Sequence, residues 1–262
     1  MVTMGRWVAA VLALVVVAAV VVAVVVLRPF ASPGCSAASD GTADMTIEQA
    51  DNAATIAGVG LAMGMPDHAV TVALATALQE SGLRNLDGGD RDSAGLFQQR
   101  PSQGWGTYAQ VTDPVHATTA FYDKLRSEPD WTAMSVTGAA QLVQRSAAPE
   151  AYARWEPMAR AVASAFTGEE PAALSCHGVT PTVPGADVVT LAAHELGTAR
   201  LSGPQPQARG WAIATWLVAH AARLGLDTVT FDGQTWTASS GDWSTRGAPD
   251  GVLSLHRAAS AT

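Results

Sequence analysis

The residues best placed to do acid–base chemistry lie between Ala77 and Gln99. Glu80 falls in the last turn of an expected helix, just before Ser81-Gly82-Leu83. At 100° per residue it shares a face with Ala73, Thr76 and Ala77, small side chains that let this face pack closely or form the floor of a groove. A carboxylate there meets the negative end of the helix dipole, and partial burial disfavours its charge further. Both effects raise its pKa, as a general acid working near neutral pH requires. Stability alone would favour Lys or Arg at this place. The plain alternative is a solvated surface carboxylate. Asp87, Asp90 and Asp92 follow in a Gly-rich turn, where they are either a helper base or simply hydrated. Trp105 and Tyr108 are candidates to stack on a sugar or to plug a packing gap.

The elements that must position these groups can be read from caps and periodicity. Thr46 and Gln49 make a capping-box pattern, which predicts a helix to about Met63. Pro66-Asp67 restarts the chain, and a second helix is expected from about His68 to Ser81, with Gly82 as its C-terminal cap. Ser93 to Gln99 reads as extended. Asp113-Pro114 opens a helix through Ala117, Ala120, Phe121 and Leu125. Two more helices are expected, at about Gly138 to Arg145 and Pro149 to Phe166. Residues 46–168 therefore read as a mostly helical domain. Residues 169–185, with three prolines and no periodicity, read as a linker. Helical patterns return at Ala186–Gly197 and Ala208–Leu224. Thr228–Phe231 and Gln234–Ala238 then flank Asp232-Gly233, a strong hairpin signal, and Val252–His256 reads as a further strand. The expected fold class is α+β: a mostly α domain followed by a small α+β module at 186–262.

Ala77-Leu78-Gln79-Glu80-Ser81-Gly82-Leu83, followed by Ser93-Ala94-Gly95-Leu96-Phe97-Gln98-Gln99-Arg100-Pro101, resembles the lytic transglycosylases of the lysozyme-like superfamily. Asp113-Pro114 through Tyr122 and Leu125 is similar to that family's entry into a later helix. The resemblance covers roughly residues 46–168. It implies a lysozyme-like fold and cleavage of the β-1,4 bond between N-acetylmuramic acid and N-acetylglucosamine in peptidoglycan strands. By the same likeness Glu80 is the catalytic acid, with Ser81 and Gln98 lining the sugar groove; Gln99, Tyr108 and Tyr152 are further candidate substrate contacts. Phe97 stands where the family often has Met. The family's usual Tyr-Asn pair is absent, with Val143-Gln144-Arg145-Ser146 near its place and Tyr152 beyond. That loss leaves a non-catalytic wall-binding or scaffold protein, with a cell-wall protein as a further possible partner, as the alternative to a glycosidase.

The C-terminal module, with Gly210-Trp211-Ala212, His220, Asp232-Gly233 and Trp236, resembles in outline a module of actinobacterial exported proteins related to zinc D-alanyl-D-alanine carboxypeptidases. The two His and one Asp those enzymes need cannot be assembled from His220, Asp232 and His256. His194-Glu195 lacks the second His of a helical zinc pair. No metal and no cofactor is expected.

Composition narrows the partners. Arg6 and Arg28 are the only charged residues before Asp40, so the rest of the 262-residue chain carries 13 basic and 23 acidic residues. So acidic a chain argues against a nucleic-acid binder, which needs a basic surface for phosphates. Trp7 to Leu27 is an uncharged, apolar run of 21 residues, about 31 Å as a helix, which matches a bilayer's hydrocarbon core. Residues 1–28 therefore read as a single-pass anchor, or else as a removed signal peptide making the protein secreted or a leader ending in a lipidated Cys35, and residues 29–45 as a tether. All three readings put the bulk of the chain outside the cytoplasm. There, the only two cysteines, Cys35 and Cys176, are expected to form one disulfide.

Overall fold

The computed structural model describes residues 32–37, 43–146 and 148–259. The apolar run at 7–27 lies outside the described residues. No helix among those described is long and apolar enough to cross a membrane.

The capping box forms as the sequence predicts. Thr46 Oγ1 accepts from Gln49 N at 3.1 Å, while Thr46 N donates to Gln49 Oε1 at 2.8 Å. These bonds start α1 (Ile47–Ala62). After Pro66, α2 (Asp67–Ser81) begins. From Ala69 to Leu78 it carries only Ala, Val, Leu and Thr, and all ten are buried. A helix apolar around its whole circumference belongs at the centre of a bundle, and α2 packs against α1, α4 (Pro114–Ser127), α5 (Val136–Gln144) and α6 (Glu156–Thr167). The short α3 (Tyr108–Val111) precedes α4. Asp113 caps α4 by accepting from His116 N at 2.7 Å.

Two expectations for this region change. Ser93–Gln99 is a tight series of turns closed by an Ala94–Gln99 bridge, not an extended run, because Gly95 and Gln98 both adopt positive φ. The helix expected from Pro149 is in two parts, a 3-10 turn (Pro149–Trp155) leading into α6. Pro157 sits at the start of α6, the one region of a helix where a missing N–H is tolerated.

The flanking tether and linker are built into the fold. β1 (Gly34–Ser36) lies between β2 (Asp44–Met45) and β3 (Ser175–His177) in an antiparallel sheet. Cys35 stands opposite Cys176 in that register, and the two form the expected disulfide. Leu174 and Cys176 are fully buried. Prolines stop a helix from forming at 169–185, but they do not prevent the chain from packing.

The C-terminal segment adds α7 (Val188–Glu195), α8 (Gln207–Ala219) and α9 (Ala221–Leu224). These accompany a five-stranded antiparallel sheet of β4 (Gly203–Pro204), β5 (Leu226–Phe231), β6 (Gln234–Thr237), β7 (Trp243–Thr245) and β8 (Val252–Arg257), in the order β4-β8-β5-β6-β7. The Asp232-Gly233 hairpin has positive φ at both residues, as a primed turn needs. Gly210 lets α8 lie directly on the sheet, since a Cβ there would come within 2.0 Å of the Phe231 ring. The class is α+β, with nine α-helices and two sheets among the described residues.

The described residues from 33 to 259 belong to one compact unit. The helical region and the C-terminal module share its core, with α8 packed on both α1 and α6. A buried ionic cluster reinforces that seam. His220 Nδ1 lies 2.5 Å from Asp51 Oδ1 of α1, and its Nε2 lies 2.9 Å from Glu195 Oε2 of α7. Glu195 also accepts from Trp216 Nε1 at 2.8 Å and from Arg223 Nη2 at 3.1 Å. His220 is fully buried and Glu195 is 2% exposed. Burial opposes a charge on His220, but the Asp51 and Glu195 carboxylates overcome it and raise its pKa. Burial likewise opposes a charge on Glu195, and the His220 cation, with help from Arg223 and Trp216, brings its pKa down to about 2.

These directions set a stability window. The His220 contribution is complete below its unfolded value near 6.5 and is lost as pH rises through the higher folded value. The Glu195 contribution is present above its unfolded value near 4.5 and is lost as pH falls towards 2. Thermal melting across pH 3–10 should therefore show stability declining on both sides. Asp51→Asn removes one of the carboxylates holding the proton on His220, so it should move the alkaline decline to lower pH. An unmoved alkaline limb in that variant would contradict the assignment.

Candidate active site

Glu80 sits where α2 ends, and three groups of bonds fix that end. Gly82 turns the chain in the left-handed region, at φ 64°, and its N–H returns to the Ala77 and Leu78 carbonyls. Two α1 side chains satisfy the carbonyls that follow: Gln49 Nε2 donates to Gly82 O and Asn52 Nδ2 to Leu83 O, each at 2.9 Å. Gln49 thus caps its own helix with its oxygen and holds the end of α2 with its nitrogen.

The third group comes from the 3-10 turn. Residues three apart eclipse one another on a 3-10 helix, so Tyr152 and Trp155 reach the same side. The Tyr152 hydroxyl donates to Glu80 Oε1 at 2.8 Å, and Trp155 Nε1 donates to Gln79 Oε1 at 2.9 Å. Tyr152 is fully buried, whereas Glu80 is half-buried. Burial raises the Glu80 pKa above its ordinary value, and the Tyr152 hydrogen bond offsets part of that rise. Burial, together with the Glu80 charge, pushes the Tyr152 phenol well above its usual range. At neutral pH the phenol therefore remains a donor.

The other expected substrate contacts have different surroundings. Ser81 is 5% exposed, with its hydroxyl 2.7 Å from Leu96 O and 3.0 Å from Ala77 O. It ties the 93–100 loop to α2. Gln99 is 2% exposed and donates to Ala117 O at 2.9 Å. Gln98, at φ 49°, is half-buried and bonded to Ser93 Oγ and Gly95 O. It lies beneath Gly89, where a Cβ would overlap the Gln98 amide. Tyr108 is 53% exposed, and its hydroxyl donates to Asp87 O at 2.7 Å. Of the expected set, Glu80 and Tyr152 are the pair joined by a side-chain hydrogen bond.

Among the loop acids, Asp92 accepts from Ser102 N at 2.7 Å, Arg100 Nε at 2.9 Å and the Ser102 hydroxyl at 3.0 Å. These donors, the Ser102 backbone first, hold its carboxyl far below the usual range. It is a loop staple rather than a base. Asp87 and Asp90 are exposed.

Close to this site is a cavity of about 680 Å³, lined by residues of the 103–105 segment, α4 and the end of α5. Glu80 is not part of its wall. One loop joins the two: Ser81 holds Leu96 O, and Gln144, which lines the cavity, donates to Phe97 O at 3.0 Å. Among the described residues no group of His, Cys, Asp or Glu is arranged to hold a metal. His220 is enclosed in the ionic cluster, while His256 pairs with Asp227 at 2.7 Å on the surface of the sheet.

A family model described as VldE, C-terminal domain, matches residues 150–252. This part of the chain is thus similar to that domain. The match covers under half of the chain, and it begins inside the 3-10 turn, so it includes Tyr152, Trp155, Glu195 and His220. No curated protein matches the chain.

Sequence reading did not find Gln79, Trp155 or the Asp51–Glu195–His220–Arg223 cluster. The three-residue spacing of Tyr152 and Trp155 after Pro149 was a usable signal for the first pair. The cluster joins residues up to 172 positions apart, and no local pattern announces it. Tyr152→Phe removes the one hydrogen bond that favours ionised Glu80 and leaves burial unopposed. The Glu80 carboxyl, followed by carbon-13 NMR titration, should then titrate at higher pH than in wild type. An equal or lower value would show that the phenol does not govern its ionisation.

Proposed function

We propose that the chain is a peptidoglycan-cleaving glycosidase of the lytic transglycosylase or lysozyme type, acting outside the cytoplasm with Glu80 as general acid and base. The observation that carries this reading is the half-buried Glu80 carboxyl, its pKa raised by burial and its position fixed by the Tyr152 hydroxyl at 2.8 Å.

In the proposed cycle, protonated Glu80 gives its proton to the oxygen bridging N-acetylmuramic acid and N-acetylglucosamine as the C1–O bond breaks. The substrate's own 2-acetamido oxygen stabilises C1, one of the routes that needs no second carboxylate. Ionised Glu80, stabilised by the Tyr152 donor, then takes the proton of the muramyl C6 hydroxyl as that oxygen closes on C1. The products are a 1,6-anhydro end and a free 4-hydroxyl, and Glu80 is again protonated. The lyase route is favoured over attack by water because Asp92 is held in its loop by three donors, and Asp87 and Asp90 are exposed. The Cys35–Cys176 disulfide supports an extracytoplasmic setting.

A second reading, a wall-binding module that holds glycan without cutting it, is favoured by the cavity lying beside Glu80 rather than around it. Mass spectrometry of isolated cell wall treated with residues 29–262 separates the two. The glycosidase releases anhydro-ended fragments. Glu80→Gln should reduce that release by at least about a hundredfold, the lower range for loss of a general acid. Rate should also fall as pH rises through the Glu80 pKa, since the acid must start protonated. Equal release by both proteins would remove Glu80 from the chemistry, and no release by either would favour the binding module.

A further inference from the structure

The cavity beside the site carries a pair of opposite charges that nothing in the fold uses. Asp123 projects from α4 and Arg145 from the residue that caps α5, and both line the cavity and are exposed. Neither side chain has an ion-pair or hydrogen-bond partner among the described residues. The neighbouring charge is different: Lys124, on the same wall, is neutralised by Glu128 one helical turn on. The same wall also offers an indole and two amides. Trp105 both packs against the core and lines the cavity. Gln103 and Gln144 supply amides, and Gln144 is fixed by its bond to Phe97 O.

A neutral sugar would leave both charges unmatched. A simple anion would use Arg145 and be repelled by Asp123. The complementary ligand carries a carboxylate and an ammonium on one short aliphatic frame, and about 680 Å³ accommodates a unit of that size.

We propose that this cavity binds a zwitterionic amino-acid unit, its carboxylate on Arg145, its ammonium on Asp123 and its aliphatic part against Trp105. On the proposed glycosidase reading, on which the ligand class rests, such a unit is a diamino-acid residue in the peptide stem of the wall. The enzyme then selects strands by their stems as well as by their sugars. The Gln144–Phe97 bond places that selection one loop away from Glu80.

Calorimetry with a soluble stem tripeptide, ending in a diamino acid whose side chain bears a free ammonium and a free carboxylate, tests this directly. Its side-chain amide and its N-acetyl derivative serve as comparison ligands. Wild type should bind the parent peptide at least about tenfold more tightly than either derivative, as loss of a charge-assisted hydrogen bond implies. Arg145→Gln should bind the parent as weakly as wild type binds the amide, and Asp123→Asn as weakly as wild type binds the N-acetyl form. Both positions are on the surface, so melting temperatures should match wild type and separate a lost site from a lost fold. Equal binding of the three peptides, equal binding by the three proteins, or no binding to wild type would each overturn the proposal. None of these readouts needs bond cleavage. A protein that binds the stem but releases no anhydro ends would uphold this site while contradicting the glycosidase reading.

Discussion

A carboxyl group at the C-terminal end of a buried helix is in an adverse place, and the structure is arranged around keeping it there. The end of a helix carries partial negative charge, and burial removes the water that would hydrate a carboxylate. One phenolic hydrogen bond, from Tyr152 to Glu80, is the favourable interaction that offsets this. Remote residues hold both partners. Gln49 and Asn52 of α1 hold the chain just after α2, and Trp155 pairs with Gln79 so that the 3-10 turn stays over the last turn of the helix. Burial that favours the protonated form and a phenolic donor that favours the ionised form act on the same carboxyl, and a general acid that must also take the proton back needs both influences.

The C-terminal module bears on this arrangement through the core. α8 packs on α1 and α6, and α6 is the direct continuation of the 3-10 turn that carries Tyr152. The His220 cluster joins α8 and α7 to α1, the helix that also holds Gly82 and Leu83. Removing one partner from a buried ion pair costs about 3–5 kcal/mol, so the cluster is a substantial part of the seam. The VldE-like segment at 150–252 follows the same logic, since it includes the 3-10 turn as well as the module. The segment that matches a family therefore does not end where composition suggests a boundary.

Much of this was legible in the sequence. The Thr46–Gln49 box, the Gly82 cap, the Asp113 cap and the Asp232-Gly233 hairpin are local devices, set by the side chains within a few residues, and they form where their patterns lie. The position of Glu80 followed from the same local reasoning. What was not legible depends on distant partners. The prolines at 169–185 correctly argued against a helix, but whether that stretch packs is decided by Cys35 and Trp243, whose indole donates to Leu174 O. Ser81 and Gln99 have the polar character of groove residues, yet their hydrogen bonds go to the Leu96 and Ala117 carbonyls, which only the folded loop brings near.

The central claim is that the Glu80 carboxyl meets the bridging oxygen of a bound glycan. A crystal structure of the Glu80→Gln protein with a β-1,4-linked N-acetylglucosamine oligomer tests this without relying on turnover. The account predicts a glycosidic oxygen within about 2.6–3.2 Å of the side-chain amide at position 80, the reach of a general acid. An oligomer bound elsewhere, with position 80 free of sugar, would contradict it.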